Sequence, residues 1–366
     1  MSYWLGLMSG TSMDAVDAVL VSFTDRNLNI HSTLSVPYPE QLRQRLLLAT
    51  RNQSDIDELG ELDTLIGHHF GHTAKELIER SGLTLGDIRG IGSHGQTVRH
   101  QPSGPAPFSL QIGNAACIAE STGLPTVSDF RSRDLAAGGQ GAPLVPAFHQ
   151  WLFASDEQDR CILNLGGIAN ITWLPAAGRK PVIGFDTGPA NALLDAWCLD
   201  QTGRHYDESG HLASEGAVHS ELLSSMLSDA YFSKPAPKST GKERFNLDWI
   251  RTHLQRFPNL AAEDVQRTLL KLTVTTILKQ LPQESASMTV YACGGGTFNR
   301  LLMNELRVGL GSVALTTTAD LGLDPQWVEP VAFAWLARQT LEFKPGNLPE
   351  VTGAKGPRVL GAIYPA

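Results

Sequence analysis

Four short polar stretches of this sequence carry residues able to do chemistry. SGTSMDAVD, at 9–17, sets three hydroxyls (Ser9, Thr11, Ser12) and two carboxylates (Asp14, Asp17) between apolar runs. The others are NLGGIAN at 164–170, DTGPAN at 186–191 and CGGGTFN at 293–299. A glycine-rich turn lets backbone N–H groups converge on an anion, because no side chain blocks the approach. Thr11, Ser12 and Thr187 add hydroxyl donors. The carboxylates of Asp14, Asp17 and Asp186 do not bind phosphate, but they can hold Mg²⁺ with its waters or take a proton. Phosphate donors beside carboxylates are what metal-assisted phosphoryl transfer requires. Each stretch alone is also compatible with a plain turn; four of them after apolar runs point to a nucleotide site.

Other groups are less specific. SHGQT at 93–97 reads as a strand-end turn whose His94 and Gln96 suit sugar hydroxyls, or as a capped turn with no ligand. DFRSRDLAAGG at 129–139 reads as a solvated loop, with Arg131 or Arg133 able to pair with a substrate carboxylate. Glu329 is the only acid of WVEPVAFAWLAR at 327–338, either a helix-dipole partner or a site residue. His68, His69 and His72 cluster in GHHFGHT, but no further ligand of a zinc set lies near in sequence. There is no GxxxxGK[ST], which excludes a P-loop, and the fragment GIGSHG at 90–95 lacks the helix-opening context of a dinucleotide fingerprint.

The elements that position these residues alternate between strand and helix, an α/β pattern. YWLGLMSG and AVDAVLVSF form a hairpin around the first turn, and NIHSTLSVPY gives a third strand. Helices are expected from about 39 to 52 and 54 to 81. CILNLGGIANITWL repeats the strand–glycine–strand grammar, PVIGFDTGPANALLDAWC reads as strand, acidic glycine turn and helix, and MTVYACGGGTFNRLLMNELRVGL as strand, turn and helix. Two hairpin starts imply two similar halves: an N-terminal domain over 1–140, rejoined by a tail from about 341, and a C-terminal domain over 141–340. The join falls where Gly and Pro concentrate, between 136 and 146.

Composition fits a globular chain: 366 residues, 42% hydrophobic, 18% charged. A formal charge of −8 argues against a broad nucleic-acid or anionic-membrane surface. The start MSYWLGL has no basic region ahead of a long apolar run, and no run is long enough to span a bilayer. Cys117, Cys161, Cys198 and Cys293 lie far apart and form no CxxC, which reads as reduced core thiols in a cytoplasmic protein.

Taken together, GLMSGTSMDAVDAVL, IGSHGQTVRH, FSLQIGN, VSDFRSRDLAAGGQGAPLVP, NLGGIAN, GFDTGPAN, CGGGTFN and VEPVAFAWLA resemble the anhydro-N-acetylmuramic acid kinase family. The pieces run in order from residue 6 to about 337. Ala15 and Ala190 stand where that family usually shows Gly, each change adding a methyl group. The resemblance implies the actin, sugar kinase and Hsp70 ATPase fold, two α/β domains with ATP between them. It implies ATP- and Mg²⁺-dependent conversion of 1,6-anhydro-N-acetylmuramic acid to N-acetylmuramic acid 6-phosphate in peptidoglycan recycling.

On that resemblance, Asp186 matches the catalytic base and Glu329 an acidic residue of the sugar site. The ATP set is Gly10, Thr11, Ser12, Met13, Asp14, Ala15, Val16, Asp17, Gly167, Gly188, Gly294, Gly295 and Gly296, with Asp14 reaching the metal through water. His94, Gln96, Arg131 and Asn170 are assigned to the sugar. The expected partner is a small sugar, with no nucleic acid or membrane and with a homodimer possible. Two alternatives stay open: another sugar or carboxylate kinase of this fold, and a non-catalytic ATP-switched binding protein.

Overall fold

The structure is a computed structural model that describes residues 2–178, 180–282 and 288–366. It divides into two compact units, residues 1–152 with 327–366, and residues 153–326. The expected joins near 140 and 340 therefore differ: the chain through Leu152, and the helix Val328–Leu341, belong to the first unit.

The first unit is built on β1 (Tyr3–Ser9), β2 (Ala15–Thr24), β3 (Asn27–Pro37), β4 (Ile88–Gln101), β5 (Phe108–Ile112) and β6 (Thr126–Ser128), with β12 at Ala362–Tyr364. Among the described residues its sheet runs β12-β6-β4-β1-β2-β3, with β5 paired to β4. The second unit holds β7 (Arg160–Leu165), β8 (Ile168–Leu174), β9 (Ile183–Pro189), β10 (Thr289–Cys293) and β11 (Ala314–Thr317), in the order β11-β10-β7-β8-β9. Directions repeat as well as order. β1 and β2, like β7 and β8, are antiparallel, as are β2–β3 and β8–β9. β4 joins β1 in parallel as β10 joins β7, and β6 and β11 follow in parallel. This doubled order is that of the actin, sugar kinase and Hsp70 ATPase fold.

Helix Ile56–Ser81 shows why sequence and structure agree here. Asp55 caps it by accepting from Glu58 N–H at 2.8 Å. Leu62, Ile66, Phe70, Ala74 and Leu77, spaced at helical intervals, are buried in the first core. Helix Val328–Leu341 is apolar on nearly every face and packs on β1 and β4. Two glycines make room for it. A Cβ on Gly6 would stand 1.9 Å from Pro330 O, and one on Gly92 2.0 Å from Phe333 O. Gly6 and Gly92 are register partners, so together they form the seat that sets the position of Glu329.

Two expected turns and one expected loop are built otherwise. SHGQT lies inside the 14-residue β4, bent where Gly95 takes φ +70°. DTGPAN continues β9 through Pro189, and the helix Asn191–Thr202 starts only afterwards. DFRSRDLAAGG is no solvated loop: it contains the short helix Ser132–Ala136, and Asp134 is fully buried. Asp134 accepts from Gly141 N at 2.8 Å, Asn347 Nδ2 at 2.7 Å and Thr352 Oγ1 at 2.8 Å, tying the loop to the C-terminal segment. Asp134→Ala leaves three buried donors without their acceptor and is expected to cost about 3 kcal/mol. Thermal unfolding checks this; an unchanged midpoint would show that the tie carries no stability.

Candidate active site

In the first unit the turn after β1 is short and heavily tied. Met13 has φ +57° and its N–H donates to Gly10 O at 3.2 Å. Ser9 Oγ lies 3.0 Å from Ala15 O and 2.7 Å from Gln96 Oε1, either of which can accept its one proton, while Gln96 Nε2 donates to Gly10 O at 3.3 Å. Arg43 donates to Met13 O at 3.1 Å and pairs with Asp14 at 3.3 Å. Thr11 and Ser12 lie at the outer end of the turn, with Ser12 and Asp14 exposed. Met13 and Val16 are instead buried in the first core, so they shape the turn and offer no side chain to a ligand.

Beside that turn the first unit gathers charged groups. Arg131 donates to Gly141 O at 2.7 Å and lies 2.9 Å from His94 Nε2, whose Nδ1 is 3.0 Å from Gly95 O. The His94 ring packs tilted against Phe333, with ring centroids 4.6 Å apart, and is 5% exposed. Burial, then the Arg131 charge, holds the imidazole well below its usual range, so it is neutral and orients Arg131. Gln96 is fully buried and committed to the turn. Both side chains are thus tied within the first unit, Gln96 to the turn and His94 to Arg131. Glu329, partly buried at the start of its helix, is pushed up to about 7 by burial, opposed by Arg131 and assisted by Asp17. Asp17, on β2, is raised by burial, with Ser35 opposing and Asp14 assisting.

In the second unit, register aligns a polar row across three strands. Asn164 on β7 faces Asn170 on β8, and Asn170 faces Asp186 on β9. Opposed residues share a sheet face. Asp186 is thus mid-strand, where a turn at the strand's end was expected. It is 7% exposed; its Oδ2 accepts from Thr240 N at 3.0 Å and its O from Tyr231 Oη at 2.7 Å. Lys238, 5% exposed, lies near enough for Asp186 to oppose the fall that burial imposes on its ammonium, which ends at about 8. The stretch KPAPKSTGKERF that brings Lys238 and Thr240 was passed over at the sequence level. Its proline, lysine and glycine content matches an ordinary loop, and only tertiary pairing reveals its place.

The glycine turns divide. Gly166 and Gly167 use their carbonyls to accept from the N–H groups of Asn191 and Ala192, so that helix start is already capped. Gly188 lies within β9, where a Cβ would meet Phe232 at 2.8 Å. Gly294 takes φ +81° against Asn164, and a Cβ on Gly296 would meet Leu165 at 2.6 Å. Gly295 alone of the three opens on space, with nothing within 4 Å of a Cβ, and Gly10 is nearly as open. His69 packs tilted against Tyr38 at 5.0 Å and His72 lies 3.8 Å from Glu76, so both sit in side-chain contacts of the first unit. Among the described residues no three His, Cys, Asp or Glu are grouped to hold a metal unaided. Among the described residues the four cysteines form no disulfide.

Comparison with known proteins adds an independent finding. The family model for anhydro-N-acetylmuramic acid kinase matches residues 2–366. An anhydro-N-acetylmuramic acid kinase of Nitrosomonas europaea is 48% identical over 366 residues, covering 100% of both chains. Its counterpart in Coxiella burnetii (strain Dugway 5J108-111) is 47% identical over 367 residues, covering 99% of this chain and 97% of that one.

Proposed function

The chain belongs to the anhydro-N-acetylmuramic acid kinase family, and from that premise we propose how its residues divide the reaction. It is a kinase acting on 1,6-anhydro-N-acetylmuramic acid, giving N-acetylmuramic acid 6-phosphate, a role that fits peptidoglycan recycling. In balance, water adds at C1, the C1–O6 bond breaks, O6 takes the γ-phosphoryl group of ATP, and ADP leaves. The observation that carries the reading is one distinctive carboxylate environment in each unit, Asp186 on β9 and Glu329 at the start of its helix. Asp186 sits beside a buried lysine, and Glu329 is poised near neutrality beside Arg131.

Asp186 is assigned as the base that takes the proton of the attacking water. A carboxylate held by Thr240 N–H, next to an ammonium, is kept ionised and aimed. Asn170, its register partner, offers an amide to a hydroxyl nearby. Glu329 and Arg131 are assigned to the sugar, Arg131 for the lactyl carboxylate, since a buried anion left unpaired is costly. The leaving O6 needs no separate acid, because the electrophilic phosphorus takes up its charge.

The residues present fit a nucleotide. Thr11 and Ser12 stand on a tight turn, and the open faces at Gly10 and Gly295 are where a ligand can approach backbone. We assign the 10–14 turn to the phosphates and Gly295 to the adenosine side. Mg²⁺, when bound, would neutralise phosphate charge, with Asp14 placed to hold one of its waters. Gly295→Val adds a side chain into space that is empty in the fold, so the variant should fold normally and raise the KM for ATP about tenfold or more, with sugar affinity unchanged. An unchanged KM for ATP would remove Gly295 from the nucleotide site. No helix among the described residues is long and apolar enough to cross a membrane. A cytoplasmic setting, where ATP is available, is carried with the reading, as is a homodimer.

The test is incubation with ATP, Mg²⁺ and either the anhydro sugar or free N-acetylmuramic acid, with products weighed by mass spectrometry. The reading expects phosphorylation of the anhydro sugar. Preference for the free sugar would favour an ordinary sugar kinase of this fold, and ATP hydrolysis indifferent to both would favour a nucleotide switch.

A further inference from the structure

The segment that follows Tyr231 wraps Asp186 from three sides. Lys238 O accepts from Asp186 N–H at 3.2 Å, Thr240 N–H reaches Oδ2 at 3.0 Å, and Tyr231 Oη holds Asp186 O at 2.7 Å. Within this wrap the Lys238 ammonium is enclosed. Its Nζ donates to Tyr231 O at 3.4 Å and lies over the rings of Tyr231, at 4.8 Å, and Phe185, at 5.6 Å. A lysine that is only 5% exposed stays charged only where its surroundings replace water. Here a carbonyl, two ring faces and a carboxylate do so.

We propose that Lys238 is a positioning residue for Asp186, its enclosed ammonium holding that carboxylate ionised and oriented for the base role. The proposal rests on the assignment of Asp186 as base, and it names a residue that the sequence motifs leave out. The other charges facing the pair are Lys234, which opposes the Lys238 ammonium, and Glu243 and Arg244, which face the Tyr231 hydroxyl from the same segment. Burial lowers the Lys238 ammonium and the Asp186 charge opposes that fall.

The experiment compares the parent protein with Lys238→Met and Lys238→Arg in two readouts. The first is the pH profile of kcat/KM for the sugar. Without the ammonium the acid limb should move up by about one to three pH units, and Lys238→Arg should keep it where the parent has it. The second is the ¹³C titration of the Asp186 carboxyl in the protein without substrate, assigned by comparison with Asp186→Asn. It should show the same upward move whatever reaction the protein catalyses, so it separates failure of this proposal from failure of the kinase reading. Lys238→Gln gives a second uncharged variant if Lys238→Met does not fold. A carboxyl titration that does not move when the charge is removed overturns the proposal. So does an arginine variant that behaves like the methionine one.

Discussion

Asp186→Asn is expected to lower kcat by about 10²–10⁴-fold, the range of general-base catalysis, while ATP and the anhydro sugar still bind. The asparagine keeps the shape and can still accept from Thr240 N–H, but it cannot take a proton. The loss therefore falls on the transition state and not on the KM for either substrate. Because O6 is freed only when the bridge opens, sugar opening and phosphate transfer should fail together. Isothermal binding and single-turnover kinetics on the same variant check both halves. Near-normal turnover, or full rescue by raising Mg²⁺, would remove Asp186 as the base and shift the role to Glu329.

Glu329→Gln is expected to make the protein more stable and less active at once. Its carboxyl lies at about 7 against an ordinary 4.5, because burial disfavours the charged form. The sign follows from linkage. Below about 4.5 the group is protonated in both folded and unfolded chains, and the fold pays nothing. As pH rises through 7 the folded chain must ionise a half-buried acid, and stability is lost. Removing that charge should restore on the order of 2–3 kcal/mol at pH 8 and almost nothing at pH 4.5. Turnover should fall about 10²-fold, since a group poised near neutrality beside Arg131 is suited to proton or hydrogen-bond work on the sugar. Thermal melts at the two pH values, with kinetics at pH 8, check it. A variant less stable than the parent at pH 8 would contradict the burial argument.

What could be seen in the sequence depended on whether the cause was local. Both β-hairpin starts were legible because a glycine turn between two apolar runs specifies a hairpin by itself. Helix Ile56–Ser81 was legible from its Asp55 cap and its apolar spacing. Glu329 stood out as a lone acid in an apolar helix. DTGPAN misled because Gly188 looks like a turn residue, whereas it lies in β9 to admit the Phe232 ring. Gln96 and His94 looked like ligands because they are polar at the end of an apolar run. Only the fold shows Gln96 holding the 10–14 turn and His94 holding Arg131. Asp134 and Lys238 were invisible for the same reason. One satisfies donors more than two hundred residues away, and the other meets Asp186 only after the helices Asn191–Thr202 and Ser220–Leu227 have intervened.

The assignment of water as the nucleophile at C1 is tested most directly by running the reaction in ¹⁸O-water and locating the label. The label should enter the C1 hydroxyl of N-acetylmuramic acid 6-phosphate, read at once before anomeric exchange, with none in the phosphate and none without ATP. Label in inorganic phosphate with an unlabelled sugar product would contradict it, because ATP would then be hydrolysed apart from ring opening.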